Sequence, residues 1–247
     1  METQGTEFGG HEESGPINGL PGWKRGLDLL LILLLSPAVL LIGAIIAVII
    51  KLGSPGPVLF RQTRIGHRGR EFTCFKFRTM RMNAGTETHR LYTQQLMKSC
   101  TPMIKLDARN DSRLVPCGVL IRASGLDELP QLLNVLRGDM SIVGPRPCIP
   151  YEYEHYEPRH RRRFNAVPGL TGLWQVSGKN RTTFEQMVAL DVEYSQRMSL
   201  GLDCKIMLKT FSAIWTQFCD VREAKKEAAP ATRHTAPLAK TIESVRL

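Results

Sequence analysis

Residues Leu29–Ile50 form a long, uncharged run of apolar residues, and exposing all of it to water would be unfavourable. At about 22 residues, the run has the length of one helix that crosses a bilayer. Ser36 and Pro37 lie near its middle, and a proline removes a backbone donor and crowds the preceding turn. The sequence therefore predicts a membrane segment with a break at Ser36-Pro37.

Basic residues flank this run on both sides, with Lys24 and Arg25 before it and Lys51, Arg61, Arg64, Arg68 and Arg70 after it. Cytoplasmic flanks of membrane helices attract Lys and Arg, so both ends are expected on the cytoplasmic side. A re-entrant helix-break-helix over residues 21–52, which enters one leaflet and returns, satisfies both flanks. A straight or kinked transmembrane anchor is the alternative, since such helices tolerate proline.

Length, charge and cysteine content limit the possible domain organisation and binding partners. The 247 residues suit one catalytic domain, placed at 53–220, beside the membrane segment, with disordered tails at 1–20 and 221–247. A net charge of +10 favours a phosphate-bearing substrate, an anionic membrane surface or nucleic acid as partner. The 6 cysteines show no CxxC spacing, which indicates reduced thiols and argues against a disulfide framework or a zinc site.

Two strand-like runs follow the membrane segment, Val58–Ile65 and Glu71–Arg78, and the glycine-containing stretch between them predicts a hairpin. Alternation places Phe75 and Phe77 on one face of the second strand and Lys76 and Arg78 on the other. Two cations two residues apart are spaced about 7 Å in a strand, which suits a diphosphate. The alternative is a solvated strand face.

The stretch from Arg122 to Gly138 predicts a helix that carries two carboxylates at its start. Pro130 is tolerated only in the first turn, so the helix is expected to begin near Asp127 and to end at Gly138. Asp127 and Glu128 then lie at a helix N-terminus, where backbone N–H groups also attract phosphate. A capping aspartate followed by a first-turn glutamate is the alternative.

Arg146 lies between Pro145 and Pro147 on a loop that the prolines stiffen, and its fork suits phosphate oxygens. Further on, Thr182 and Glu185 fit a capping box that opens a helix. The apolar residues between Leu202 and Phe218 then predict an amphipathic helix that is either packed in the core or interfacial.

Taken together, these motifs resemble the bacterial sugar transferases, the monotopic phosphoglycosyl transferases that load a phosphosugar onto a polyprenyl phosphate. The resemblance covers roughly residues 22–220 and rests on several ordered elements: Lys24-Arg25, Ser36-Pro37, Gly53–Pro57, Phe75–Met80, Leu126–Gln131, Val143–Pro147 and Pro168–Gln175. Gly125 stands where the family often has serine, and Lys179 where arginine is frequent. The expected fold is α+β and mostly helical, with a re-entrant membrane segment, a small β-hairpin and interfacial amphipathic helices.

The resemblance implies a UDP-sugar donor, Mg²⁺ as cofactor and a polyprenyl phosphate acceptor at the cytoplasmic face of the inner membrane. By the same analogy, Asp127 is the nucleophile and Glu128 supports it, with both carboxylates as candidate metal ligands. The candidate phosphate-binding cations are Lys76, Arg78, Arg122 and Arg146. A homo-oligomer is compatible with the sequence.

Two functions of other classes account for part of the sequence. A membrane-tethered nucleic-acid binder explains the charge, but the sequence carries no helix-turn-helix or RNA-binding aromatic signature, so no nucleic-acid partner is expected. A non-catalytic membrane scaffold explains the apolar run but leaves Asp127, Glu128 and Arg146 without a role. A nucleotide-binding glycosyltransferase with a metal-binding Asp-x-Asp motif is a further enzyme class, and that motif is absent from the sequence.

Overall fold

The computed structural model describes residues 19–81, 96–97, 114–178 and 182–227, with side chains described as far as residue 213. Its helices are α1 Gly22–Gly53, α2 Gly118–Ala123, α3 Leu132–Arg137, α4 Pro150–Glu154, α5 Pro158–Arg161, α6 Leu173–Val176, α7 Phe184–Arg197 and α8 Leu200–Glu227. Its strands are β1 Leu59–Ile65, β2 Glu71–Phe77, β3 Ser141–Val143 and β4 Gly169–Thr171, and three short 3-10 helices are His67–Gly69, Leu126–Gln131 and Arg162–Asn165. The predicted α+β class is confirmed.

Helix α1 runs through Ser36 and Pro37 without interruption, so the predicted helix-break-helix is wrong as secondary structure. Pro37 has no N–H to donate to the carbonyl of Leu33, four residues earlier. The hydroxyl of Ser36 donates to that carbonyl instead, at 2.8 Å. Ser36 therefore replaces the hydrogen bond that Pro37 removes, which is one way in which apolar helices accommodate proline.

Helix α1 is buried against the rest of the domain at its two ends, and its remaining surface is largely exposed and apolar. The buried positions are Lys24, Asp28 and Ile32 near the start and Ile46 and Ile50 near the end, each set at helical spacing, and none of residues 33–45 is buried. The exposed apolar residues include Leu29, Leu30, Leu33, Leu34, Leu35, Leu40, Leu41, Ile42, Ile45, Val48 and Leu52. Among the described residues, α1 is the one helix whose length and composition allow it to cross a membrane.

The start of α1 is fixed to the domain by polar contacts. The Lys24 ammonium group is buried, donates to the Tyr194 hydroxyl at 2.9 Å and forms an ion pair with Asp203. Asp28 accepts from the Ser141 hydroxyl at 3.1 Å and from the Ile142 amide at 3.0 Å. Lys24, which as a basic flanking residue predicts the cytoplasmic side, is thus also part of a buried polar network.

The end of α1 packs against the same domain through apolar contacts. Ile46 and Ile50 form a cluster with Phe77 of β2 and Ile121 of α2. Both ends of this long helix therefore contact one folded unit.

The hairpin matches its prediction closely. Strands β1 and β2 pair antiparallel, with Phe60 opposite Lys76 and Arg61 opposite Phe75. Phe75 and Phe77 are buried, whereas Lys76 is half-buried on the other face, as alternation predicts. Arg78 lies just beyond the end of β2, where its amide donates to the carbonyl of Val58.

A second, parallel pair was not predicted from the sequence. Strand β3 pairs with β4 through Ser141–Gly169 and Val143–Thr171. The chains approach so closely that a Cβ atom added at Gly169 would lie 2.0 Å from the Gly144 amide nitrogen. Glycine at both positions allows this approach, and it places the loop that carries Arg146 directly after β3.

The two long C-terminal helices follow their predictions with small shifts. Helix α7 is capped by Thr183 and Gln186 instead of Thr182 and Glu185. The Thr182 hydroxyl is used elsewhere, because it accepts from the Trp174 indole at 2.7 Å. Helix α8 continues to Glu227, past the boundary predicted at residue 220. The tails at 1–18 and 228–247 lie outside the described residues.

Candidate active site

The Asp127-Glu128 pair lies in the 3-10 helix Leu126–Gln131, which we call the carboxylate helix. Gly125 precedes it with φ of 73°, a left-handed conformation that suits glycine. Pro130 has no N–H with which to close an α-helical turn, and the α-helical hydrogen-bonding pattern begins with α3 at Leu132. The predicted start is therefore correct to within a residue, but the first turns are 3-10. The predicted end at Gly138 is confirmed, with φ of 85°.

Asn134 holds this region against β2. Its side-chain oxygen accepts from the Phe75 amide at 3.1 Å, and its side-chain nitrogen donates to the Thr73 carbonyl at 2.7 Å. These are the groups that a third strand would bond at this edge of the hairpin. The fully buried amide thus fixes α3, and with it the carboxylate helix, in register with the strand that carries Lys76.

Lys76 and Glu128 meet across this junction. The Lys76 ammonium nitrogen lies 3.0 Å from the Glu128 Oε1 atom, and both side chains are partly exposed. Asp127 is the preceding residue of the carboxylate helix and is half-buried. The structure therefore brings together Lys76 and Glu128, which were predicted as site residues from separate motifs, at an accessible place beside Asp127 in the chain.

Arg122 lies on α2, which packs against the carboxylate helix. Its side chain is half-buried. A cation in this position is compatible with the predicted contact to a substrate phosphate.

Arg78 lies in a different environment from Lys76. Its guanidinium is buried and donates to the carbonyls of Pro55 at 2.6 Å and Ser54 at 2.8 Å. These contacts join β2 to the segment that follows α1. In this structure its terminal nitrogens bind backbone, so its predicted role as a phosphate ligand stays a prediction.

Arg146 forms an ion pair with Glu152 at 3.0 Å, and its carbonyl accepts from Arg163 at 2.8 Å. Burial alone would raise the pKa of the Glu152 carboxyl, but Arg146, Arg64 and Arg163 together lower it below its ordinary range. The predicted phosphate-binding arginine is therefore held by a buried carboxylate. About a quarter of its side chain remains exposed, at 26%.

Arg64 of β1 contacts the loop that carries Arg146. It donates to the Pro147 carbonyl at 3.1 Å, and burial together with the charge of Arg146 lowers its pKa. Burial raises the pKa of the Cys74 thiol, while Lys76 and Arg64 act in the opposite direction. Cys74 thus lies within the fields of both cations, on the strand face that the register gives to Lys76. Arg64 and Lys76 share this face of the hairpin with Cys74, because Arg64 is paired with Phe72 and Gln62 with Cys74.

The carboxylates suit a magnesium ion that is completed by substrate. Within the described residues, no group of three His, Cys, Asp or Glu side chains converges as a ready-made metal site. Mg²⁺ commonly binds through one or two carboxylates, several waters and substrate phosphates, so a full protein cage is not required. Asp127 and Glu128 fit this donor set.

Comparison with known proteins identifies the family. The model of the family described as bacterial sugar transferase matches residues 21–217. The chain belongs to the bacterial sugar transferase family. The family resemblance found in the sequence motifs is confirmed, and the match includes α1, the hairpin and the carboxylate helix.

Curated relatives have related names. This sugar transferase is 40% identical over 211 residues to the exopolysaccharide production protein ExoY of Rhizobium meliloti, covering 82% of this chain and 90% of the relative. It is 40% identical over 201 residues to the UDP-glucose:undecaprenyl-phosphate glucose-1-phosphate transferase of Caulobacter vibrioides, covering 78% and 70%. The undecaprenyl-phosphate galactose phosphotransferase of Salmonella typhimurium is 39% identical over 159 residues, covering 64% of this chain and 33% of that protein.

Sequence reasoning missed the groups that position the site of this sugar transferase. Asn134 lies among the leucines that predict helix α3. A polar amide within that apolar pattern was a usable signal for a buried hydrogen-bonding role. Glu152 was not among the predicted site residues, but it is 3% exposed and pairs with Arg146. Asp203 was read as one residue of an amphipathic helix, and its partner Lys24 is 179 positions away.

Proposed function

We propose that this sugar transferase moves a sugar-1-phosphate from a UDP-sugar to undecaprenyl phosphate and releases UMP. The names of its relatives in Caulobacter and Salmonella support this substrate pair. The name of the Rhizobium relative supports a role at the start of exopolysaccharide or related glycan assembly. The proposed place is the cytoplasmic face of the inner membrane.

The observation that carries the proposal is the Lys76–Glu128 pair beside Asp127. A phosphoryl group that passes between two anionic partners needs charge neutralisation and positioning more than proton transfer. Lys76 supplies a cation next to the carboxylates, and Asn134 fixes the elements that carry both. In a non-catalytic scaffold this arrangement would have no purpose.

Mg²⁺ is the proposed cofactor. Asp127 and Glu128 would hold it, and when bound it would neutralise charge on the donor diphosphate. Lys76 balances the charge of Glu128 and contributes a second positive centre near the same phosphates.

Asp127 is proposed to form a covalent intermediate. Its carboxylate oxygen attacks the β-phosphorus of the UDP-sugar, and the bond from that phosphorus to the bridging oxygen breaks as UMP leaves. An oxygen of undecaprenyl phosphate then attacks the same phosphorus, and the Asp127–phosphorus bond breaks. The sugar C1–O bond stays intact, so the product keeps the anomeric configuration of the donor.

A re-entrant topology for α1 is also proposed. Lys24 near the start of the helix and Ile46 and Ile50 near its end all contact one domain. A helix that crossed the bilayer would separate its two ends by about 30 Å of hydrocarbon, and a single domain on one side could not hold both ends. A kink of α1 at Pro37, with the exposed leucines of the helix in one leaflet, satisfies both sets of contacts.

A single-turnover experiment tests the transfer chemistry. Enzyme in detergent is mixed with UDP-sugar and Mg²⁺ without lipid, and a panel of UDP-sugars identifies the donor. About one equivalent of UMP is expected, with the phosphosugar retained on Asp127. Asp127→Asn keeps the size of the side chain but should lose both the burst and turnover, and Glu128→Gln should be severely impaired.

The result also separates the alternatives. If UMP release strictly requires lipid and no adduct maps to Asp127, transfer is direct in a ternary complex and the two-step mechanism fails. If no UDP-sugar in the panel releases UMP with undecaprenyl phosphate present, the transferase proposal itself fails.

A further inference from the structure

Two arginines converge on one ring on the face of the hairpin opposite Lys76. The Arg137 guanidinium carbon lies 4.9 Å from the centroid of the Phe75 ring, and that of Arg61 lies 6.0 Å from it. Arg61 and Phe75 are opposite each other in the β1–β2 register, so their side chains share a face. Both arginine side chains are exposed.

The fold holds this pair in place. Asn134 fixes α3 to the backbone of Thr73 and Phe75, and Arg137 follows Asn134 by three residues. Residues three apart lie on one side of a helix, so the clamp that orders the carboxylate helix also sets Arg137 over Phe75. Stacking on an aromatic ring limits the freedom of a guanidinium but leaves its N–H groups available.

Neither arginine has an acidic partner within the described part of the chain, where both contact the Phe75 ring. The nearby Asp139 carboxylate accepts instead from the Asn134 side chain at 3.4 Å. Two like charges held near one ring repel each other, and a bound anion would remove that repulsion. Guanidinium groups match phosphate oxygens with paired donors.

This face of the hairpin points toward the membrane helix. Phe77, on the same face as Phe75, packs against Ile46 and Ile50 of α1. At the other end of α1, Arg25 donates to the carbonyls of Val135 and Leu136, directly before Arg137. Leu133 and Leu136 of α3 expose 46% and 45% of their surface beside the cations. Exposed apolar residues next to unpaired arginines are typical of the headgroup layer.

From this geometry we infer that Arg61 and Arg137, set on Phe75, bind the phosphate group of a membrane lipid. The inference rests on the membrane insertion of α1 proposed above, but it needs no transfer chemistry. Two lipids carry such a phosphate at this depth: an anionic phospholipid of the bilayer and the polyprenyl phosphate acceptor. The lipid tail lies along the exposed leucines of α3 and α1.

Lipid binding to the full-length protein in detergent tests the site, with native mass spectrometry giving the dissociation constant for each lipid. The probes are phosphatidylglycerol, zwitterionic phosphatidylcholine, undecaprenyl phosphate and undecaprenol. Arg61→Gln and Arg137→Gln should each weaken binding of a phosphate-bearing anionic lipid about tenfold, the loss expected for a charge-assisted hydrogen bond. Arg159→Gln is the control, because that exposed arginine pairs with Glu157 and Glu185.

The choice of lipid identifies the source of the phosphate. Selective loss of undecaprenyl phosphate binding, with undecaprenol unaffected, assigns the acceptor. Equal loss of phosphatidylglycerol binding assigns the bilayer headgroup. The double variant Arg61→Lys, Arg137→Lys should bind the lipid phosphate more tightly than the glutamine variants but less tightly than wild type, because the positive charge remains while the forked guanidinium is lost. If both glutamine variants melt like wild type and bind every lipid as the Arg159→Gln control does, the inference is overturned, whether or not the enzyme releases UMP.

Discussion

Lys24 at the start of α1 and Asp203 at the start of α8 form an ion pair in which both side chains are 1% exposed. Tyr194 joins it by donating to Asp203 at 2.7 Å and accepting from Lys24. Helix α1 is thereby connected to the C-terminal part of the domain through buried charges, and its position depends on a partner far along the chain.

Breaking this pair should be costly. Lys24→Ala leaves the Asp203 charge buried and without its cation, and is expected to lower the free energy of unfolding by about 3–5 kcal/mol. Thermal unfolding in detergent measures the change. Arg197→Ala is the control, since its pair with Glu193 on α7 is exposed and should contribute less than about 1 kcal/mol. Similar melting of the two variants would show that the buried pair does not hold α1.

The topology of α1 can be tested by labelling. Single cysteines at residues 18 and 55, in a cysteine-free background, should react only from the cytoplasmic side. The native thiols must be removed because Cys117 and Cys204 are exposed. Labelling of residue 18 from outside would contradict the re-entrant arrangement.

Pro37→Leu probes the proline itself. The variant restores the backbone donor to Leu33 and makes the Ser36 hydroxyl contact unnecessary. Because the variant removes the cause of the proposed kink and an apolar helix of this length can cross a bilayer, a fraction of molecules should become spanning and expose residue 18 to the outside label. Ser36→Ala with Pro37 retained is the companion variant, and it should not give that fraction.

The candidate phosphate-binding cations should separate into two groups when changed to alanine. Lys76→Ala removes a partly exposed cation next to Glu128 and should cut turnover while melting like wild type. Arg78→Ala should also lower stability, by about 1.5–3 kcal/mol, because it leaves the Ser54 and Pro55 carbonyls without their charged donor. Arg146→Ala leaves Glu152 unpaired and should lose both stability and turnover. Wild-type turnover in all three would identify these cations as structural or solvated.

The ionisation of Glu152 should make the stability of the folded domain decrease at acidic pH. Burial acts to raise the pKa of Glu152 in the folded protein, but Arg146 and the other nearby arginines lower it beneath the ordinary 4.5. The contribution of the ionised Glu152 to folding stability is therefore present above pH 4.5 and is lost as the pH falls below that value. Glu152→Gln should therefore melt lower than wild type at pH 7, and the difference should shrink toward pH 4. A difference that stays constant with pH would assign the effect to packing.

The sequence by itself determined the features that depend on neighbours in the chain. The apolar length of Leu29–Ile50 predicted one long apolar helix, and alternation predicted the hairpin and the opposite faces of Phe75 and Lys76. Gly138 specified the end of α3. The ordered motifs were also sufficient for the family, because each is short and local.

Tertiary structure decided which side chains meet. Lys76 and Glu128 are 52 positions apart, and no local period relates them. Tertiary contacts also gave Arg78 its backbone partners and Arg146 its carboxylate, roles that residue type alone could not distinguish from phosphate binding. The break at Ser36-Pro37 was predicted from proline's missing donor. In the structure the helix continues through this point, and the Ser36 hydroxyl donates to the Leu33 carbonyl that Pro37 leaves without a backbone donor, a contact that residue propensity does not predict.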